Sequence, residues 1–211
     1  MIRNYVEVDQ ASYKEAVDLF EFYGLNSQEA LRIAINKTVP KVRTASVSAI
    51  RSQVRLSAAY VRERLTIKRA NKTDMSAAIR TPKRGLLLSR FSTDSQIASD
   101  KIRWFRPPLV PRRGIKVKIK PQGQIKDAPS EGDNKPFYIV LKNSNAVGIA
   151  ARIGKTKKLK VFHGPSLSQV FTTVREDVLP DANRELTKQM IDAMRYLAQK
   201  RLPLENTGSD E

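Results

Sequence analysis

Cysteine is absent from this 211-residue chain, which removes both disulfides and thiolate nucleophiles. Histidine occurs once, as His163, so paired-imidazole metal sites and helical H-E-x-x-H chemistry are excluded within one protomer. No segment approaches the roughly 18–20 uncharged apolar residues that a membrane-crossing helix needs. The opening residues Met1 to Val8 contain no apolar signal core, and the expectation is folding in a cytoplasm. There is no G-x-x-x-x-G-K-[ST] phosphate loop, and Gly148 and Gly154 form no dinucleotide fingerprint. Glu176 and Asp177 are adjacent on an expected helix, so their carboxylates diverge by about 100° and share no metal. These absences leave no catalytic constellation and imply no cofactor. An enzyme is the least supported class.

Negative charge is also scarce, and unevenly so. The formal net charge is +18. Residues 1–26 carry two basic and five acidic groups, while residues 127–211 carry 13 basic and 11 acidic. Residues 27–126 carry 24 basic against five acidic, so the middle hundred residues hold essentially the whole excess. Such a field attracts polyanions, nucleic acid first among them, and makes binding depend on salt. The plainer alternative is a solvated basic face with no ligand.

Apolar residues make up 40% of the chain, enough for a substantial core. Their periodicity predicts the elements. Residues 9–23 read as a short amphipathic helix with an acidic outer face, ended by Gly24. Asn26 and Glu29 have capping-box spacing. Leu31, Ile35, Val39, Val42, Ile50 and Val54 then predict one long helix to about Leu56, kinked or divided at Pro40. Arg32, Lys37, Lys41, Arg43, Arg51 and Arg55 spread over the rest of that helix. A short helix over 57–64 leads into a strand at 65–70, a turn at 71–74 and a returning strand at 75–80. Leu86 to Phe91 is apolar and ambiguous.

Residues 92–113 look irregular and predict an arm that orders on docking, with Trp104, Phe105, Arg106, Arg112 and Arg113 as candidate partner contacts or, equally, aromatics folded onto the core. Ile115, Val117 and Ile119 alternate strictly with Lys116, Lys118 and Lys120, a half-buried strand with lysines about 7 Å apart. That row suits phosphates, or simply protects a sheet edge. Residues 137–142, 147–153 and 159–162 predict a three-strand meander. At His163-Gly164-Pro165-Ser166 the chain turns from strand to helix. Gly164 there permits unusual backbone angles, Pro165 ends strand pairing, and Ser166 with Gln169 caps a helix starting near Leu167. His163 is expected to pack at that corner or make an interface hydrogen bond. Pro180 is expected to stop that helix and Asp181 to cap another, carrying Leu186, Met190, Met194 and Leu197.

Several of these segments carry a resemblance. Arg152-Ile-Gly-Lys155 followed by Val161-Phe-His-Gly-Pro-Ser-Leu-Ser-Gln-Val-Phe171 resembles the signature of the phage minor tail protein Z family, tail completion proteins of lambda-like siphophages and prophages. Leu31-Arg-Ile-Ala-Ile-Asn36-Lys, Tyr60-Val-Arg-Glu-Arg-Leu-Thr-Ile-Lys-Arg-Ala70, Gly114 to Lys120 and Pro136 to Lys142 are similar to further family segments in the same order. The resemblance covers about residues 27–195.

The resemblance implies an α+β fold, an antiparallel β-sheet packed by a long N-terminal helix and C-terminal helices. It implies a single domain over 27–202; the acidic helical extension at 1–26 and the tail at 203–211, whose polar composition predicts disorder, fall outside the resemblance. It also implies a virion protein at the head-proximal end, or neck, of a long non-contractile tail, assembled in the host cytoplasm and needed for head–tail joining. Its implied partners are further copies of itself in a ring, most often sixfold, the tail terminator and head–tail connector proteins, and the double-stranded genome. No membrane is implied. Under this reading Arg32, Lys37, Lys41, Arg43, Arg51, Arg55, Lys116, Lys118 and Lys120 face the DNA channel or acidic neighbours, whereas His163, Gly164, Pro165 and Ser166 contact protomers or neck proteins. The competing reading is a free basic DNA-binding protein with packaging or regulatory duties.

Overall fold

The computed structural model describes residues 27–94 and 111–201. The expected helix at 9–23, Trp104, Phe105 and Arg106 of the arm, and the 203–211 tail lie outside the described residues. Among the described residues two long helices come first and last in sequence, α1 (Ser27–Gln53) and α3 (Leu167–Arg201), with a short α2 (Ala58–Arg64) after the first. Between α2 and α3 the described residues form nine short strands: β1 (Thr66–Lys68), β2 (Ala78–Arg80), β3 (Gly85–Leu87), β4 (Lys116–Val117), β5 (Lys126–Asp127), β6 (Phe137–Val140), β7 (Val147–Arg152), β8 (Leu159–Val161) and β9 (His163–Ser166). A 3₁₀ turn, Leu88–Phe91, follows β3. All strand pairing is antiparallel, so the α+β class holds. The strands form three pairs and one three-stranded sheet rather than one continuous sheet.

The described residues cluster into two compact units. The first holds 27–46, 65–80 and 175–201. Its core is Ala30, Ala34, Ile35 and Val39 from α1, Ala70 and Ala77 from the β1–β2 hairpin, and Leu186, Met190 and Ala193 from α3. The alanines are small enough for backbones to approach closely. The hairpin pairs Thr66 with Arg80 and Lys68 with Ala78, as its alternation predicts. Its turn is closed by Asn71, whose Oδ1 accepts from the amides of Thr73 and Asp74 at 2.9 and 2.7 Å.

The second unit holds 47–64, 81–94 and 111–174. The expected meander is present as β6–β7–β8, in register from Phe137↔Ala150 to Val140↔Val147 and from Ala150↔Val161 to Arg152↔Leu159. Strand β7 is buried from Val147 to Ala151. Ile50, Val61, Phe91, Ile115, Val147, Ile149, Leu167 and Val174 are core side chains with almost no exposure. Three buried hydroxyls of this unit are paired: Ser89 Oγ donates to the Val147 carbonyl at 2.5 Å, and Ser92 Oγ and the Tyr138 hydroxyl share a bond of 2.9 Å.

Four expectations need correction. Pro40 does not divide α1, and Pro180 neither stops α3 nor precedes a new cap, because both helices run through their prolines. A mid-helix proline costs about 3 kcal/mol. Apolar side chains on both sides of each proline remain buried, Val39 with Val42 and Val178 with Ala182, and each buried valine returns about 1.5–3 kcal/mol. Asp181 instead pairs with Arg184 on the helix surface. The segment after Gly114 is regular strand only at Lys116–Val117. Beyond it, Lys118 N–H donates to the Phe91 carbonyl at 2.8 Å and the Ile119 carbonyl accepts from Arg55 N–H at 2.7 Å, so its backbone groups serve three different neighbours. Finally, Pro165 does not end pairing. Residues 163–166 form β9 against β3, with a bulge between Gly85 and Leu87 that accommodates the missing amide.

The capping box survives intact. Gln169 N–H donates to Ser166 Oγ at 3.1 Å, and Ser166 N–H donates to Gln169 Oε1 at 3.0 Å, so α3 starts at Leu167 as its spacing predicts.

Candidate functional site: the basic surfaces

The basic residues divide between the two units, and their surroundings differ. In the first unit, Arg32 is neutralised within its own helix by Glu29, through bonds of 2.9 and 2.5 Å. That bond raises the Arg32 guanidinium and lowers the Glu29 carboxyl from their ordinary values. Lys41 is exposed and paired with Glu185 of α3, whose carboxyl it holds below the ordinary range. Lys37 is exposed. Arg43 is half-buried, and its Nε is buried without a partner among the described residues.

In the second unit, Arg51 and Arg55 are exposed at and just beyond the end of α1. They turn back onto backbone: Arg51 Nε donates to the Leu56 carbonyl and Arg55 Nη1 to the Ser92 carbonyl, each at 3.3 Å. Through the Arg55–Ile119 bond the chain brings Arg55 beside the Lys118–Lys120 segment. Lys118 is half-buried and Lys120 exposed. Lys116 is exposed but paired with Asp127 across β4–β5 at 2.7 Å. Arg112 and Arg113 are exposed. The lysine row is therefore not uniform, since the member best placed on a strand already has a carboxylate.

The 163–166 corner holds its residues for packing. Gly164 does not have a positive φ, contrary to the expected need for unusual angles; only Gly114, Gly132 and Gly154 do among the described glycines. What Gly164 supplies is space. A Cβ there would lie 2.6 Å from Cε2 of Phe91, whose ring is fully buried. Ser166 is buried in the cap. Pro165 is half-buried, and His163 is exposed, its Nδ1 3.1 Å from the Val161 carbonyl.

Two basic constellations lie outside the candidate contacts read from the sequence, although residues 154–158 already read there as a basic turn. In one, Tyr60 of α2 carries the guanidiniums of Arg64 and Arg90 over its ring at 5.1 and 4.5 Å from the centroid. Alternation of residue types gives no hint of that stack, because Arg90 arrives on the 3₁₀ turn. The other is the β7–β8 hairpin, where every residue from Arg152 to Lys160 is exposed and Arg152, Lys155, Lys157, Lys158 and Lys160 share one hairpin end. From Asn134 to Arg175 the chain has no Asp or Glu. The near-neutral balance of residues 127–211 conceals that run, because Asp127, Glu131 and Asp133 before it and Glu205, Asp210 and Glu211 at the end of the chain offset it in a wide window. A narrower one reveals it.

Among the described residues no cluster of His, Asp and Glu is arranged to hold a metal, and no helix is long and apolar enough to cross a membrane. No curated protein and no solved structure matches the chain. A family model does: prophage minor tail protein Z matches residues 24–202, the two long helices and all nine strands included. The chain belongs to the prophage minor tail protein Z family, which makes it a tail protein of a phage particle.

Proposed function

We propose that this protein completes the head-proximal end of a long non-contractile tail and prepares it to join the filled head. The match over residues 24–202 carries this reading. It acts as a structural subunit rather than an enzyme, without a cofactor, at the neck of the virion after assembly in the host cytoplasm. Copies of the chain close into a ring, sixfold by analogy with other neck components, between the tail terminator and the head–tail connector. The genome passes through that ring. The surplus of cations in residues 27–126 supports this last part, since a channel for DNA gains from a positive wall.

Mass spectrometry of purified particles, with heads and tails separated on a gradient, tests the assignment. The polypeptide is expected in intact virions and in the tail fraction. A lysate lacking it is expected to accumulate filled heads and unjoined tails. Infectious particles without the polypeptide would overturn the reading. The net charge of +18 also favours a second reading, a free DNA-binding protein. That reading predicts a salt-dependent gel shift by soluble monomer together with absence from particles.

A further inference from the structure

We propose that the β7–β8 hairpin, residues 152–160, is a phosphate-backbone contact for duplex DNA. This deepens the reading above by naming where the chain meets the genome, and it rests on that reading. Four observations carry it. The hairpin projects five cations, and only Lys160 has a carboxylate partner among the described residues, Glu131 at 2.6 Å. The flanking chain from Asn134 to Arg175 supplies no acidic residue to cancel them.

The turn is also built to hold its shape. Gly154 takes a positive φ of 54°, and its carbonyl accepts from Asn134 Nδ2 at 2.8 Å. Thr156 N–H and Oγ1 both donate to the Ile153 carbonyl, at 3.1 and 2.6 Å, while Ile153 N–H donates to the Lys158 carbonyl at 3.0 Å. The backbone is thus fixed while the lysine stems remain free to reach phosphates.

Protection of an exposed sheet edge accounts for less of this charge. β8 is an edge strand, which explains Lys160. Arg152 ends the central strand β7, and Lys155 and Lys157 lie in the turn beyond the ladder, where no edge needs guarding. The chemistry also favours DNA over an acidic protein. Four of the five cations are lysines, which are depleted at protein interfaces, and residues 152–160 contain no aromatic anchor. Point charges without a planar fork or stacking ring hold phosphates and read no bases, as a moving genome requires. A two-stranded ribbon also fits the width of the major groove.

The test uses the purified full chain and a labelled duplex of mixed sequence, about 30 base pairs long, in fluorescence anisotropy over a salt series. The variant K155Q/K157Q/K158Q is compared with K188Q/R195Q/K200Q, which removes the same charge from α3. Circular dichroism confirms that both fold. The hairpin variant is expected to bind at least about tenfold more weakly at low salt and to lose about 2–3 from the slope of log K against log salt, at roughly 0.9 per phosphate contact. The α3 variant is expected to keep the wild-type slope. Equal loss in both variants would mean a diffuse field, and wild-type binding by the hairpin variant would mean no contact; either overturns the proposal. So would a hairpin variant that binds DNA normally yet no longer enters particles, which would assign the hairpin to an acidic neck protein. The particle assay above fails or succeeds independently of these binding curves.

Discussion

The side chain of Asn36 grips both backbone groups of Ala70. Its Nδ2 donates to the Ala70 carbonyl and its Oδ1 accepts from the Ala70 N–H, each at 2.9 Å. A helix and a hairpin end 34 residues apart are thereby joined as if by one further rung of a ladder. Ala70 follows β1 and has no strand partner of its own, so the amide supplies what the ladder does not. Asn36 and Ala70 each stand within one of the segments that resemble the tail-protein family, and this contact gives those two segments a common physical reason.

Asn36→Leu is therefore expected to destabilise the chain by about 1–3 kcal/mol, since it strands both groups of Ala70. Urea denaturation measures the loss. Hydrogen exchange should show the Ala70 amide deprotected first. An Asn36→Leu chain with wild-type stability would mean that water replaces the clamp at no cost.

Gly164→Ala places a methyl against the Phe91 ring, whose Cε2 would be only 2.6 Å away. Overpacking of this kind costs about 1–3 kcal/mol. Phe91→Leu opens the space, so the double variant should lose less than the two single variants added together. Thermal melts of the four-member cycle give the coupling directly. Additive losses would show that the ring moves aside freely.

Ser166→Ala removes the side-chain half of the capping box and leaves the Gln169 amide unpaired. The expected cost is about 1 kcal/mol. Gln169→Ala should cost less than or about the same, and the two losses should not add, because each residue caps the other.

Acid sensitivity follows from Asp74. Lys68, and then the hydroxyl and amide of Ser76, hold its carboxyl well below the ordinary aspartate range. A depressed carboxyl stabilises the fold fully above its unfolded value and loses that contribution as pH falls through the folded one. The Asp74→Asn variant should therefore melt below wild type at pH 7, and the gap should begin to narrow only as pH falls below about 4, the ordinary aspartate value. Exposure keeps the effect small. A gap that stays constant with pH would assign the loss to the Asp74–Ser76 turn bonds rather than to charge.

Arg51→Gln with Arg55→Gln removes two exposed cations while leaving Arg43, whose half-buried head is part of the packing. Under the proposed function this pair should lower phage yield or DNA retention severalfold without altering the melt of the purified chain. Unchanged titre would remove this end of α1 from the functional surface.

Local patterning made much of the chain legible. The β1–β2 hairpin, the β6–β7–β8 meander and the start of α3 at Ser166 were readable because alternation, turn residues and capping spacing act within a few residues. Prolines 40 and 180 misled the reading for the opposite reason. A proline's cost is local, but the burial that outweighs it comes from residues distant in the chain. The role of Gly164 shows the same limit, since only folding brings Phe91 against it.

By itself the sequence determined the α+β class, the order of most elements, the excess of positive charge and the likeness to the tail-protein family. These depend on residue identity and short spacing. Tertiary structure alone decided which cations are already neutralised and which remain open. Lys41 and Lys116 meet carboxylates across the fold, whereas Arg152, Lys155, Lys157 and Lys158 meet none among the described residues. Charge is counted along a chain, but it is screened through space, and a partner such as Glu185 stands 144 residues from the lysine it neutralises.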